Sequence, residues 1–168
     1  MNNSPLAYFI TFTTYGTWLH GDERGSILRK DNHTRLIAEC TPLRRHETGM
    51  LKSKPVILSR GDRNAVISTI IKHCQIRKWK LYAAHVRTNH VHIIVKSNVS
   101  INDTASQFKQ WSTRILKESG FESLPVWTKG SSRKYIFTED KLREKVHYVA
   151  YEQGKMLEHY IHPQFRKS

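Results

Sequence analysis

The chain has 168 residues, with 28 lysines and arginines against 14 aspartates and glutamates, for a net charge of +14. Such an excess of cations points to a polyanionic partner, nucleic acid first. No apolar run approaches 18 residues and no charged-then-apolar leader opens the chain, so the reading is a soluble cytoplasmic protein that keeps to the nucleoid rather than a membrane. The two cysteines, Cys40 and Cys74, lack metal-type spacing and imply no disulfide framework. The length suits one domain over 1–168.

In chain order, Leu6 to Thr13 is rich in aromatic and β-branched residues and reads as a strand ending at Tyr15-Gly16. From about 17 to 59 the periodicity fades, and Gly21, Gly25, Pro42, Gly49 and Pro55 punctuate polar, basic sequence: an insertion with at most short elements of its own. Ser59-Arg60-Gly61-Asp62 forms a capping box, after which Val66, Ile67, Ile70, Ile71 and Cys74 fall at helical spacing up to about Lys78. Leu81 to Val86 and His90 to Val95 make a hairpin around Arg87-Thr88-Asn89. Ser100 opens a second helix with Ala105, Phe108, Ser112 and Ile115 inward. Arg133 to Phe137 is a short strand, and Thr138 caps a third helix that runs to Gly154. Tyr8, Tyr82 and Tyr135 fall in strand patterns and read as sheet packing. The tail beyond Gly154 carries no assignment.

The first six of these elements follow the ferredoxin-like order, an α+β fold in which an antiparallel sheet carries two core helices on one face. Within the hairpin, His90 and His92 share one strand face while Val91, Ile93 and Val95 share the other. The valines and isoleucine suit the helix-covered face, so the histidines look toward the open one, where the C-terminal helix is free to cross. Ten histidines scattered over 168 positions would give a His-x-His pair about 0.6 times by chance, so the pair gains weight only from context. Two imidazoles on a rigid strand are half of a metal site. On the last helix Tyr148 and Glu152 lie one turn apart, and either Glu152 or Gln153 would complete a three-ligand set with an open position for a phosphate oxygen. Tyr151, three residues beyond Tyr148, is the alternative tyrosine.

Together, Tyr8-Phe9-Ile10-Thr11-Phe12, Thr14-Tyr15-Gly16-Thr17-Trp18, His90-Val91-His92, Val126-Trp127-Thr128-Lys129-Gly130 and the Tyr148 helix resemble the single-tyrosine HUH transposases of bacterial insertion sequences and their REP-associated relatives. The resemblance implies a metal-dependent enzyme that cuts and rejoins single-stranded DNA on a ferredoxin-like fold, recognises hairpin ends and often forms a homodimer. It makes His90 and His92 metal ligands and Tyr148 the nucleophile that forms a 5′-phosphotyrosine. The family commonly has Asn or Gln four residues after the tyrosine, whereas here Glu152 stands there and Gln153 follows. A free tyrosine hydroxyl ionises near pH 10 and needs help at neutral pH, which a divalent ion at the phosphate supplies. Imidazole favours Mn²⁺ over Mg²⁺, though an open octahedral site takes either. The alternative is a domesticated or non-catalytic protein of the same fold that binds its hairpin without moving it.

For the DNA path, Lys129, Arg133 and Lys134 lead directly into the tyrosine helix and are the first choice. Arg44 and Arg45, with Lys52 and Lys54, are the second, and Lys109, Arg114 and Lys117 form a further group. Trp18, Trp111 and Trp127 could stack on unpaired bases.

Overall fold

β1 (Ala7–Thr13) is followed by a hairpin, β2 (Ser26–Lys30) and β3 (His33–Ile37), then by α1 (Thr41–Gly49) and α2 (Arg60–Arg77). β4 (Lys80–Val86), β5 (His90–Lys96), α3 (Ile101–Glu118), β6 (Ser132–Ile136), α4 (Glu139–Tyr151) and β7 (Glu158–Ile161) complete the order. The structure is a computed structural model and describes residues 4–19, 26–30 and 33–167. Gly21 and Gly25 lie outside them.

Each long helix begins at the residue that can cap it. The Ser59 hydroxyl accepts from the Asp62 amide while the Asp62 carboxylate accepts from the Ser59 amide, closing the capping box of α2. Ser100 and Thr138 accept from the amides of Asp103 and Lys141 at the starts of α3 and α4. The strands assemble antiparallel in the order β6-β1-β5-β4-β7. Without β7 this is the ferredoxin-like sheet.

Alternation along the strands builds two cores. Ile10, Phe12, Val91, Ile93 and Val95 pack against Val66 and Ile70 of α2 and Phe108 and Leu116 of α3. On the opposite face Phe9, Ile94 and Ile136 pack against Leu142, Val146, Val149 and Ala150 of α4. Covering both faces is why β5 reads as a nearly continuous apolar run. It also puts α4 across the face that carries His92.

Several boundaries differ from expectation. The end of the insertion belongs to the core: Val56 and Leu58 are buried, and their amides donate to Tyr15 and Thr88 carbonyls at 2.9 and 2.8 Å. The tail, unassigned from sequence, supplies β7, fixed by the ion pair between Arg63 and Glu158, and a 3-10 turn at Pro163–Phe165. Tyr135 packs edge-on against Tyr8 across the β1–β6 pair, with centroids 5.6 Å apart, yet stays 54% exposed on the edge strand β6. Gly16 turns the chain out of β1 at φ +72°, and a Cβ there would stand 3.0 Å from Leu51 Cδ1 and 3.1 Å from Pro55 Cα. Gly16→Ala therefore combines backbone strain with a clash, and is expected to cost more than about 1 kcal/mol and lower Tm by at least ~2 °C. Thermal unfolding checks it, and an unchanged Tm would mean the turn yields freely.

Candidate functional site

The site is assembled from the ends of β1 and β5 and the last turn of α4. Register places Thr11 opposite His92 and Thr13 opposite His90. The Thr11 hydroxyl lies 2.7 Å from Nδ1 of His92, and the His90 and His92 rings sit with centroids 4.7 Å apart. Burial first, then the neighbouring His90, pushes the His92 imidazole down to about 3, so it stays neutral and keeps a lone pair for a ligand.

His90 is set from behind by the turn that follows β1. Thr14 is fully buried, and its hydroxyl donates to the Asn89 carbonyl at 3.1 Å while the Thr17 hydroxyl donates to the Thr14 carbonyl at 2.9 Å. Asn89 Oδ1 then accepts from Nδ1 of His90 at 2.7 Å. A carbonyl oxygen can only accept, so the proton sits on Nδ1 and any further ligand of this ring meets the lone pair on Nε2.

Across from these histidines, Tyr148 is half-buried with its ring centroid 5.8 Å from that of His92 and 6.2 Å from Phe9. Regular helix stops at Tyr151, with Glu152 as the C-cap at φ −106°, ψ 15°. The two side chains after the helix therefore part company. Glu152 turns outward, where its carboxylate lies 2.8 Å from Nδ1 of His147, whereas Gln153 turns under. Its Oε1 is 3.0 Å from Nε2 of His92 and its Nε2 donates to the Tyr148 carbonyl at 3.2 Å. Of the two candidates for third ligand, Gln153 is the one brought to His92. Helical i, i+4 spacing favours Glu152 on paper, but the spacing no longer sets the side-chain direction where the helix ends. Tyr151 faces away from this cluster, with its ring 5.2 Å from that of His147 and its hydroxyl accepting from the Lys167 amide at 3.3 Å.

The donor set suits a divalent ion, although among the described residues no three His, Cys, Asp or Glu side chains converge. The third donor here is an amide oxygen. An imidazole nitrogen and an amide oxygen 3.0 Å apart match adjacent corners of an octahedron with bonds of about 2.1 Å. Thr11 makes the exchange possible, because its hydroxyl can donate to Nδ1 of His92 or accept from it. A cation held at Nε2 would leave the ring proton on Nδ1, where the Thr11 hydroxyl would accept it.

Sequence reasoning passed over Thr11, Asn89 and a third histidine, His85. The signal for Thr11 was a polar residue on the His92 face of an apolar strand. His85 is buried opposite His92 on β4. Its Nε2 accepts from the Leu157 amide at 3.1 Å, so Nδ1 carries the proton and donates to the Val149 carbonyl at 3.1 Å. This one ring ties the Tyr148 turn of α4 to the chain returning toward β7.

A cleft of about 510 Å³ opens beside Tyr148 and His92, walled by Thr128 to Ser132, Lys134, Lys145 and Trp18. Lys129 and Lys134 are both in its lining. Arg133, one residue out of phase, faces α3, where it donates to Asn102 Oδ1 at 2.6 Å. Lys109 holds the wall itself, donating to the Thr128 carbonyl at 2.7 Å and to that of Gly130. Arg44 and Arg45 are exposed on α1, outside the cleft lining. Trp127 is buried against Phe12 with centroids 4.8 Å apart, and Trp111 lies on the α3 surface, so of the three tryptophans only Trp18 meets the cleft.

Residues 41–164 match the family model described as Transposase IS200 like. Among solved structures, the chain is similar to a REP-associated tyrosine transposase bound to a REP hairpin, at 14% identity and a TM-score of 0.51, over 87% of this chain and 65% of that one. This chain thus spans less than two thirds of that protein's length. A candidate transposase from Deinococcus radiodurans R1 also aligns, at 12% identity and a TM-score of 0.46, over 86% of this chain and 88% of that one. No functionally curated protein matches the chain at a significant level. Among the described residues no helix is long and apolar enough to cross a membrane.

Proposed function

The chain belongs to the IS200-like transposase family, and from that premise we propose that it cuts and rejoins single-stranded DNA through a covalent bond to Tyr148. The observation that carries this reading is the Gln153 amide, which touches His92 with its oxygen and the Tyr148 carbonyl with its nitrogen. Tyr148 and His92, which both line the cationic cleft, are thereby tied together through one side chain.

In the proposed reaction the Tyr148 oxygen attacks phosphorus, its proton leaves to solvent, the P–O3′ bond breaks, and the released 3′-oxygen takes up a proton. The product is a 5′-phosphotyrosine and a 3′-hydroxyl, and attack by another 3′-hydroxyl reverses the bond changes and frees the tyrosine. His90, His92 and Gln153 would hold Mg²⁺ or Mn²⁺, which when bound neutralises charge at the phosphate. Lys129, Lys134 and Lys145 supply further positive charge at the cleft wall. Lys145 Nζ lies 5.9 Å from the Tyr148 ring. The substrate is proposed to carry a hairpin, in keeping with the REP hairpin bound by the similar transposase.

The test is to incubate the protein with end-labelled single strands drawn from both flanks of its gene, with Mg²⁺ or Mn²⁺, and to look for protein-linked label after denaturation. Label that binds but never becomes covalent would leave the non-catalytic hairpin-binding alternative. For the DNA path, charge reversal at Lys129 and Lys134 together is expected to weaken single-strand binding and flatten its log–log salt slope by about 1.4, two contacts' worth of released counterions. Arg133→Glu, on the other face of β6, should change the slope by less than half as much. Equal slopes for all three proteins would move the path elsewhere, with Arg44 and Arg45 next.

A further inference from the structure

We infer that the trough between β6 and α4 is a second nucleotide subsite, holding single-stranded DNA to one side of the scissile phosphate; this rests on the reading of Tyr148 above. A cavity of about 400 Å³ lies there, between Lys134 and Phe137 on the sheet side and Lys141 and Lys145 on the helix side. It shares Phe9, Lys134 and Lys145 with the Tyr148 cleft, so the two adjoin. Lys141, Lys145 and Tyr148 follow one another at i, i+4 and i+7, a single stripe of α4 about 10 Å long. A strand whose phosphate reaches Tyr148 has to leave the cleft, and this stripe marks one way out.

The chemistry of the trough selects its occupant. Its floor is apolar, made by Phe9 and Ile136, and at its far end Phe137 leaves 49% of its surface exposed. Three ammonium groups line the walls. One carboxylate answers them: Glu144 pairs with Lys141 at 2.6 Å and with Lys145 at 2.9 Å, so a single anion is divided between two cations. Lysines spaced along a groove with an exposed aromatic ring suit a ligand that carries repeated phosphates and flat bases, and stacking on a ring of this kind tolerates any base. An acidic peptide would meet the cations but has no use for the ring's face.

The experiment uses the full-length Tyr148→Phe protein, so that binding is read without chemistry, and oligothymidylates of about three and about twelve residues as probes. Phe137→Ala in that background is expected to weaken the longer probe about fivefold or more while leaving the shorter one, which the cleft alone can hold, within twofold. Lys141→Ala should lower the salt slope for the longer probe only, by about 0.7. A longer probe carrying 4-thiothymidine should photocrosslink within residues 134–145. Both residues are exposed, and unchanged Tm values would confirm that folding is not the cause. Equal losses on both probes, no loss on either, or crosslinks confined to 128–132 would overturn the subsite. If the parent protein makes no covalent adduct, the Tyr148 reaction fails while this binding comparison still decides the subsite.

Discussion

Tyr148→Phe protein is expected to form no covalent adduct with single-stranded DNA, a loss of at least about a thousandfold, while Tyr151→Phe protein still forms it. The substitution removes one oxygen and keeps the ring, so the edge-on contacts with Phe9 and His92, at 6.2 and 5.8 Å, survive. Gln153 is anchored to the Tyr148 backbone carbonyl and not to its hydroxyl, so the ligand set survives as well. Hairpin affinity and thermal stability should accordingly match the parent. Tyr151 has its hydroxyl bonded to the Lys167 amide and Lys167 Nζ 4.4 Å from its ring, on the side of α4 turned away from the cleft. Digestion of the adduct and mass spectrometry of the DNA-bearing peptide decide between the two. Phosphotyrosine on Tyr151, or a Tyr148→Phe protein that still traps DNA, would remove the proposed nucleophile.

That Tyr148 rather than Tyr151 would lie beside His92 was legible in the sequence, and so was most of the frame around it. Helix starts declared themselves because Ser59, Ser100 and Thr138 are side chains that satisfy otherwise unpaired amides, a purely local matter. The two-residue period of β5 placed His92 opposite Val91 and Ile93, and the six-element order then implied which face a seventh could cover. What escaped was what depends on distant partners. β7 has four residues, Glu158 to Ile161, of which only Ile161 is buried, and it exists because β4 offers it an edge and Arg63 meets Glu158. No periodicity in four residues announces that. Val56 and Leu58 are core residues without regular structure, so neither the helical nor the strand pattern could find them. Arg133 was grouped with its neighbours by sequence proximity, and the strand's alternation, available all along, sends it to the other face. Spacing alone left Glu152 and Gln153 open for a related reason: the helix ends at Tyr151, and its period does not set the direction of the side chains beyond it.

Removing His92 should have the other large effect. His92→Ala is expected to reduce adduct formation about a thousandfold, the several kcal/mol of charge stabilisation that a bound divalent ion provides, and to abolish saturable Mn²⁺ binding measured by calorimetry or electron paramagnetic resonance. Gln153→Ala should weaken Mn²⁺ binding and slow the reaction by about tenfold or more, because it takes away the oxygen that faces Nε2 of His92 and frees the Tyr148 carbonyl. Glu152→Ala should do neither, since Glu152 is exposed and its partner is His147. Gln153→Glu keeps an oxygen donor in place and should retain the metal, whereas Thr11→Val leaves the ligands intact but deprives Nδ1 of its partner, and is expected to cost ~10–100-fold in metal affinity. The pattern across these variants is diagnostic where any one of them is not. A merely structural role for His92 would lower Tm in proportion to activity, and Gln153→Glu would then restore nothing. If Glu152→Ala proved the damaging change and Gln153→Ala the silent one, the end of α4 must rearrange when metal binds, and the ligand set proposed here would be wrong at its third member.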